Sequence, residues 1–339
     1  MTKPSPAHVL CSVVIPTHDR ASSLHRVLSA LAASAVDAAC FEVVVVVDGP
    51  DDDTVDMLEA AAPPFDLIVV EQENAGPASA RNRGVGTARG DVVVFLDDDV
   101  MPSPQWLGRH LERHQSGPDQ LVVVGPMLTP QDHDFQPWVR WEQCMLERSY
   151  AALLAGEWQP SGRLLYTGNA SMRRSFFLEA GGFDETLRRA EDVDLGYRLE
   201  EAGGRFEFAA DAHAYHYAER ELAAWLDMAR SYGRADATFA VDGGRTWLLE
   251  SLAREFHERR APNRALVVAT VGRPTAVAIV QRLLVAGAVT TARVVWPLAS
   301  VLFSGAFNLR YYDSFASAIG GRRSFLDFIA AGHDERRPA

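Results

Sequence analysis

The chain has 339 residues, 47% of them hydrophobic and 23% charged, with a formal net charge of −12. That balance suits a globular protein with a sizeable core and excludes disordered, collagenous and disulfide-stapled chains, and the acidic total argues against a nucleic-acid partner. Lys3 is the only lysine among 33 basic residues, which removes enzymes that need a P-loop lysine or a lysine Schiff base.

The three cysteines, Cys11, Cys40 and Cys144, are odd in number and far apart. They predict a reduced, intracellular protein without a cysteine zinc site. The N-terminus lacks a signal-peptide core, and no uncharged apolar run reaches the roughly 18 residues of a membrane span. A cytoplasmic location is expected, with peripheral contact at the inner membrane face as an option.

Over the first 125 residues, β-branched runs at 12–15, 41–47, 67–70, 92–96 and 121–124 read as strands buried on both faces. Helical stretches at 21–34, 52–61, 77–88 and 104–115 lie between them. This alternation predicts a mainly parallel, Rossmann-like sheet flanked by helices. Residues 131–165 are less periodic and carry Trp138, Trp141 and Trp158. A second set follows: a strand over 164–172, a helix from Arg174, a turn at 181–183, a helix over 191–202 and a strand at 205–209. From Glu219 onward the pattern is mostly helical. The expected divisions are a first subdomain at 1–125, a second at 126–218 and a helical extension at 219–339.

Ligands of such sheets bind beyond the carboxyl ends of the strands. The segments there are 16–20, 48–53, 71–77 and 97–100, all polar or charged. The strand Phe95-Leu96 runs straight into Asp97-Asp98-Asp99. Three adjacent carboxylates repel unless a cation neutralises them, and hard oxygen donors suit Mg²⁺ or Mn²⁺; the alternative is an acidic solvated turn. Asp48 can accept hydrogen bonds from a base or ribose. No Gly-x-Gly-x-x-Gly follows the first strand, which weakens a dinucleotide reading. Asp51, Asp52 and Asp53 read as a helix start. Asn74-Ala75-Gly76-Pro77 enters a helix carrying Arg81, which suits either an anion or a salt bridge.

Taken in order, Val13-Val14-Ile15-Pro16-Thr17, Val46-Val47-Asp48-Gly49, Asn74-x-Gly76-Pro77-x-x-Ala80-Arg81-Asn82-x-Gly84, Phe95-Leu96-Asp97-Asp98-Asp99, Gly168-Asn169, Gly181-Gly182-Phe183-Asp184-Glu185 and Glu191-Asp192-Val193-Asp194-Leu195-x-x-Arg198-Leu199 resemble the motif series of family 2 glycosyltransferases over roughly residues 10–220. The resemblance implies a GT-A fold, a UDP-, GDP- or dTDP-sugar donor, a divalent cation and inversion at the anomeric carbon. It places Pro16, Thr17, Arg20, Asp48, Asn74 and Arg81 around the nucleotide, and Gly168 and Asn169 near the donor sugar. Asp97 and Asp99 are the ends of its Asp-x-Asp motif, Asp99 toward the metal and Asp97 or Asp98 toward ribose.

The resemblance also puts the general base at Asp192, beside Glu191. Inversion needs one carboxylate to take the acceptor proton, whereas glycosidases use two. The same two acids also fit a helix start. His216 is the candidate third metal ligand, against a histidine bonded to backbone. The tryptophans suit either an acceptor platform or sheet cover. No Gln-x-x-Arg-Trp follows Asp192, so transfer of one or a few sugars is expected, without polymerisation. A nucleotidyltransferase and a catalytically inactive relative are the rival classes.

The tail has its own character. Residues 259–339 hold 11 Arg against 4 acids, a net of +7, so the preceding 258 residues carry −19. Arg282 and Arg293 lie about three helical turns apart and share a face. That suits an anionic membrane surface, a second subunit or packing on the catalytic domain.

Overall fold

The computed structural model describes residues 10–49 and 52–334. Lys3 and Asp51 lie outside them. The described residues form two compact units, one within 10–134 together with 143–218, the other of 135–142 with 219–334. The division expected at 125/126 falls inside the first unit.

The first unit is built on a seven-stranded sheet. Its strands are β1 (Cys11–Thr17), β2 (Phe41–Asp48), β3 (Asp66–Gln72), β4 (Val92–Leu96) and, beyond the short β5 (Val100–Pro102), β6 (Leu121–Val124). After the two-residue β7 (Met127–Leu128) come β8 (Asn169–Arg173) and β9 (Arg205–Phe208). The order is β3-β2-β1-β4-β8-β6-β9. Every pairing is parallel except those of β8, which runs antiparallel to both neighbours. One sheet thus draws strands from both subdomains expected within residues 1–218. A second sheet of three short strands sets β10 (Ala214–His216) between β5 and β7.

Alternation along the strands fills two layers. Val13, Ile15, Val43, Val45, Val94 and Leu96 pack with Leu24, Val27 and Leu31 of α1 (Ala21–Ala32). The face of Val14, Val93, Phe95 and Val122 meets other helices. Of the helices after α2 (Thr54–Ala60), α3 (Pro77–Thr87) supplies Ala78 and Val85 to that face, α4 (Trp106–Ser116) packs on the α1 side, and the long α5 (Pro137–Leu154) comes next in the chain. They are followed by α6 (Arg174–Glu179), with Phe176 and Phe177, and α7 (Glu191–Glu201), with Leu195 and Leu199. Each such buried side chain contributes about 1.5–3 kcal/mol of transfer free energy.

Three features differ from the sequence reading. β3 is an edge strand with alternating exposure, not one buried on both faces. The aperiodic 131–165 stretch contains the 18-residue α5. The three-stranded sheet is built from strands of two or three residues, too short to carry a hydrophobic period.

A pair of glycines sets α7 in place. A Cβ on Gly196 would lie 2.1 Å from the Gly162 carbonyl oxygen, and one on Gly162 would lie 2.2 Å from that of Gly196. Only bare backbones permit this approach, and it fixes the helix whose first turn carries Glu191 and Asp192.

The second unit is helical: α8 (Leu222–Val241), α9 (Thr246–Glu258), α10 (Ala261–Thr270), α11 (Pro274–Thr291), α12 (Trp296–Ala318) and α13 (Arg322–Asp334). α12 is its axis and packs on α8, α10, α11 and α13. Trp141 stands edge-on to Trp225, which in turn meets Phe303 and Phe307. Trp138 donates its indole N–H to the Arg220 carbonyl at 2.7 Å. Both tryptophans therefore belong to this unit's packing, while Trp158 is exposed.

Candidate active site

The carboxyl ends of β1, β2 and β4 share one edge of the parallel sheet. After β1 the chain passes through Asp19, which has a positive φ of 52°, and reaches Arg20. Before α7 it passes through Ala190, with a φ of 62°, and reaches Glu191. These are the positive-φ non-glycine residues among those described. Left-handed backbone is unfavourable for L side chains, and here the two instances directly precede Arg20, which holds the acids, and Glu191, one of them.

The acids are held by two arginines. Arg20 Nη1 donates to Asp98 Oδ1 at 3.2 Å and to Asp99 Oδ2 at 2.6 Å. Thr17 Oγ1 donates to Asp98 Oδ2 at 2.8 Å. Arg81 is buried and bridges two segments, at Asp97 and at Glu191, that lie far apart in the chain. Its Nη2 donates to Asp97 Oδ1 at 2.8 Å and its Nη1 to Glu191 Oε1 at 3.0 Å. The Phe183 ring lies beneath the guanidinium, 5.7 Å from it. Of the two readings drawn from the sequence, the structure shows the salt bridge, made by a buried side chain between site carboxylates and not on the surface.

The electrostatics separate these acids. Burial pushes Asp98 up to about 7; Arg20 and Thr17 oppose the shift and Asp99 adds to it. Asp192 is also pushed up to about 7, first by burial and then by Glu191, against the backbone N–H of Val193 and the charge of Arg81. A carboxyl titrating near neutrality inside an acidic cluster is suited to proton transfer.

Asp48 ends β2 and accepts three hydrogen bonds: from Gln72 Nε2 and the Ala75 N–H on Oδ1, and from the Gly76 N–H on Oδ2, each at 2.8 Å. It thereby shapes the loop that leads into α3. Asn74 Nδ2 lies 3.3 Å from His18 Nε2 on the open side of that loop. Pro16 sits within β1, half-buried and opposite Val46.

Gly168 touches the cluster: a Cβ there would fall 2.9 Å from Asp97 Oδ2. Its neighbour Asn169 turns away. Asn169 is fully buried, donates to the carbonyls of Pro126 and Ala212, and accepts from Trp106 Nε1 at 2.7 Å. His110 and His114 share Ser171 in the same network. Burial pushes these imidazoles down to about 4 and about 3, so both stay neutral. The Asn169 side chain thus ties β8 to α4 and the β10 approach, and has no free polar atom for a sugar.

His216 ends β10 with its ring buried and Nε2 3.5 Å from Asp99 Oδ1. Gln143 on α5 lies 3.0 Å from the other ring nitrogen, a contact that no motif announces. The Gln143 Oε1 is buried without a hydrogen-bond partner. Among the described residues no group of three or more His, Cys, Asp or Glu is placed to hold a metal ion. A carboxylate and an imidazole nevertheless fit an ion of the Mg²⁺ or Mn²⁺ type, which completes its shell with water and substrate phosphates.

A strand-edge carboxylate cluster on a mainly parallel sheet, followed by a helical region, is the arrangement of GT-A type folds. Among solved structures, the mannosyltransferase PcManGT from Pyrobaculum calidifontis, in complex with GDP-Man and Mn²⁺, matches 96% of this chain and 88% of its own at a TM-score of 0.57 and 17% identity. S. aureus TarS 1-349 in complex with UDP-GlcNAc matches 91% of this chain and 92% of its own at a TM-score of 0.55 and 19% identity.

The family model for glycosyl transferase family 2 matches residues 12–181, and the chain belongs to that family. The pre-mycofactocin glycosyltransferase of Mycobacterium tuberculosis is 31% identical over 243 residues, which are 70% of this chain and 48% of that protein. The validoxylamine A glucosyltransferase of Streptomyces hygroscopicus is 34% identical over 224 residues, 58% of this chain and 53% of that protein. The chain thus spans about half the length of these curated relatives.

Proposed function

We propose that the protein is a metal-dependent, inverting, non-processive glycosyltransferase that moves a sugar from a nucleotide-diphosphate donor to a hydroxyl acceptor. The observation that carries this reading is the convergence of Asp97, Asp98, Asp99, Glu191 and Asp192, tied together by Arg20 and Arg81, at the carboxyl edge of the sheet. The nucleotide sugars named with PcManGT and TarS, and the Mn²⁺ named with PcManGT, support the donor class and the ion.

Asp99 and His216 would hold Mn²⁺ or Mg²⁺, with Asp97 as the other acid of the same motif. When bound, such an ion offsets the charge that develops on a departing diphosphate. Thr17, Arg20 and Asn74 line the nucleotide. Asp48 holds the 72–76 loop against it through three accepted hydrogen bonds. Gly168 leaves room for the donor sugar beside Asp97.

Asp192 is the general base. As the bond from the anomeric carbon to the phosphate oxygen breaks, the acceptor oxygen bonds to that carbon from the opposite side. The hydroxyl proton passes to Asp192, whose raised affinity for protons matches the task. Arg81 holds Glu191 and Asp97 in place around that base.

The test is the Asp192→Asn variant, assayed for nucleoside diphosphate release from UDP-, GDP- and dTDP-sugars with a panel of hydroxyl acceptors. Transfer is expected to fall by about 10²–10⁴ with donor binding kept. Transfer at the wild-type rate refutes the assignment of the base, and pyrophosphate as the released product refutes glycosyl transfer.

A further inference from the structure

The active site leaves the second unit unexplained. Among the described residues, Pro274–Thr291 is the helix long and apolar enough to cross a membrane. Its surroundings favour a position along a surface over a span. One side is packed, with Val277 and Ala288 buried; Leu284 lies against Gly305 and Gly287 against Leu302 of α12. The opposite side carries Arg282 at mid-helix, where a charge in hydrocarbon is costly.

That opposite side faces solvent with Ala278, Ile279, Arg282, Leu283, Ala286 and Val289, positions that recur at helical spacing. Leu283 is 68% exposed, and Val294, in the turn between α11 and α12, is 83% exposed. Val295 and Leu298 extend the apolar surface. No packing demand within the unit accounts for this many aliphatic side chains in water, and a contiguous patch of this kind marks an interaction surface.

Charge decides the partner. Residues 259–312 contain seven arginines and no aspartate or glutamate. Arg282 and Arg293 sit in the apolar stripe, are exposed, and have no carboxylate neighbour within this 54-residue stretch. A second copy meeting this face about a two-fold axis sets arginine against arginine. An anionic lipid surface supplies the missing counter-charge and also takes up the aliphatic side chains.

We propose that α11 and the turn after it form a membrane-surface docking face for anionic phospholipid. The helix lies in the headgroup plane, its aliphatic side chains enter the acyl boundary, and the guanidinium groups of Arg282 and Arg293 meet lipid phosphates. This inference stands independently of the proposed sugar transfer.

The full chain is tested by co-sedimentation with vesicles of equal parts phosphatidylcholine and phosphatidylglycerol, and with vesicles of phosphatidylcholine alone. It is expected to bind the anionic vesicles only, and to lose most of that binding at about 0.5 M salt. Arg282→Ala with Arg293→Ala is expected to weaken partitioning by about 30-fold, at the ~1 kcal/mol that each basic residue contributes near such a surface. Ile279→Ser with Leu283→Ser, both at exposed positions, is expected to weaken it by about tenfold or more with thermal stability unchanged. Equal binding to neutral vesicles, no binding to anionic ones, or variants that bind like the wild type overturns the proposal. A dimer in light scattering that Leu283→Ser dissociates assigns the face to a second copy and overturns it as well.

Discussion

The two units use charge in opposite ways. In the first, carboxylates and arginines are interleaved: Arg20 holds Asp98 and Asp99, and Arg81 holds Asp97 and Glu191. In the second, residues 259–312 carry arginine without a single acid, set among exposed aliphatic side chains. Net charge alone hides this, since the −19 of residues 1–258 and the +7 of residues 259–339 add to −12. Interleaved buried charge is costly to assemble and severe to break, so it marks a site whose geometry must be held. Exposed charge of one sign costs the fold little and is informative about what the surface meets.

The largest effect expected from breaking this contrast is at Arg81. Arg81→Ala leaves Asp97 and Glu191 without their buried partner. Denaturant unfolding should show a loss of about 3–5 kcal/mol, and donor turnover should vanish. A loss under about 1 kcal/mol contradicts a buried structural role for the bridge.

Next comes pH. With Asp192 titrating at about 7, transfer should rise as pH climbs through that value, because only the ionised carboxylate accepts a proton. A flat profile from pH 5 to 9 in the wild type removes Asp192 from that role.

The smallest effect is on stability, and its direction is unusual for a site substitution. The native state keeps the Asp192 proton up to about pH 7, whereas an unfolded carboxyl releases it near pH 4. Between those values the native state binds more protons, so this group's contribution falls as pH rises. Asp192→Asn should therefore melt higher than the wild type at pH 8, with the difference closing toward pH 4. A lower melting temperature at pH 8 contradicts the strained placement of this acid.

Much of this contrast is legible in the chain. The valine runs of β1, β2, β4 and β6 announce strands because both faces of a central parallel strand are buried. β3 shows less clearly, because an edge strand alternates. The acids at 97–99 and at 191–192 stand out as charge following an apolar strand or opening a helix. Their pairing through Arg81 does not, because it joins positions 81, 97 and 191 by tertiary packing alone.

Gln143 was invisible for the same reason. It lies in a helix without a motif, 73 residues from the histidine it touches. Asn169 carries the opposite lesson. It lies within the motif series, yet its side chain holds the sheet to α4, and the contact with Asp97 comes from Gly168. Sequence patterns locate a site to the segment; which atom of the segment faces inward is set by the packing around it.

In the proposed reaction the clustered acids grip a nucleotide diphosphate through a divalent ion. Calorimetric titration of UDP, GDP and dTDP into the protein, with and without Mn²⁺, tests it most directly when repeated on Asp99→Ala. One nucleotide should bind the wild type tightly only with Mn²⁺, and the variant should lose that dependence together with the affinity. Equal binding with and without the ion, or an Asp99→Ala variant that responds to Mn²⁺ like the wild type, contradicts the account.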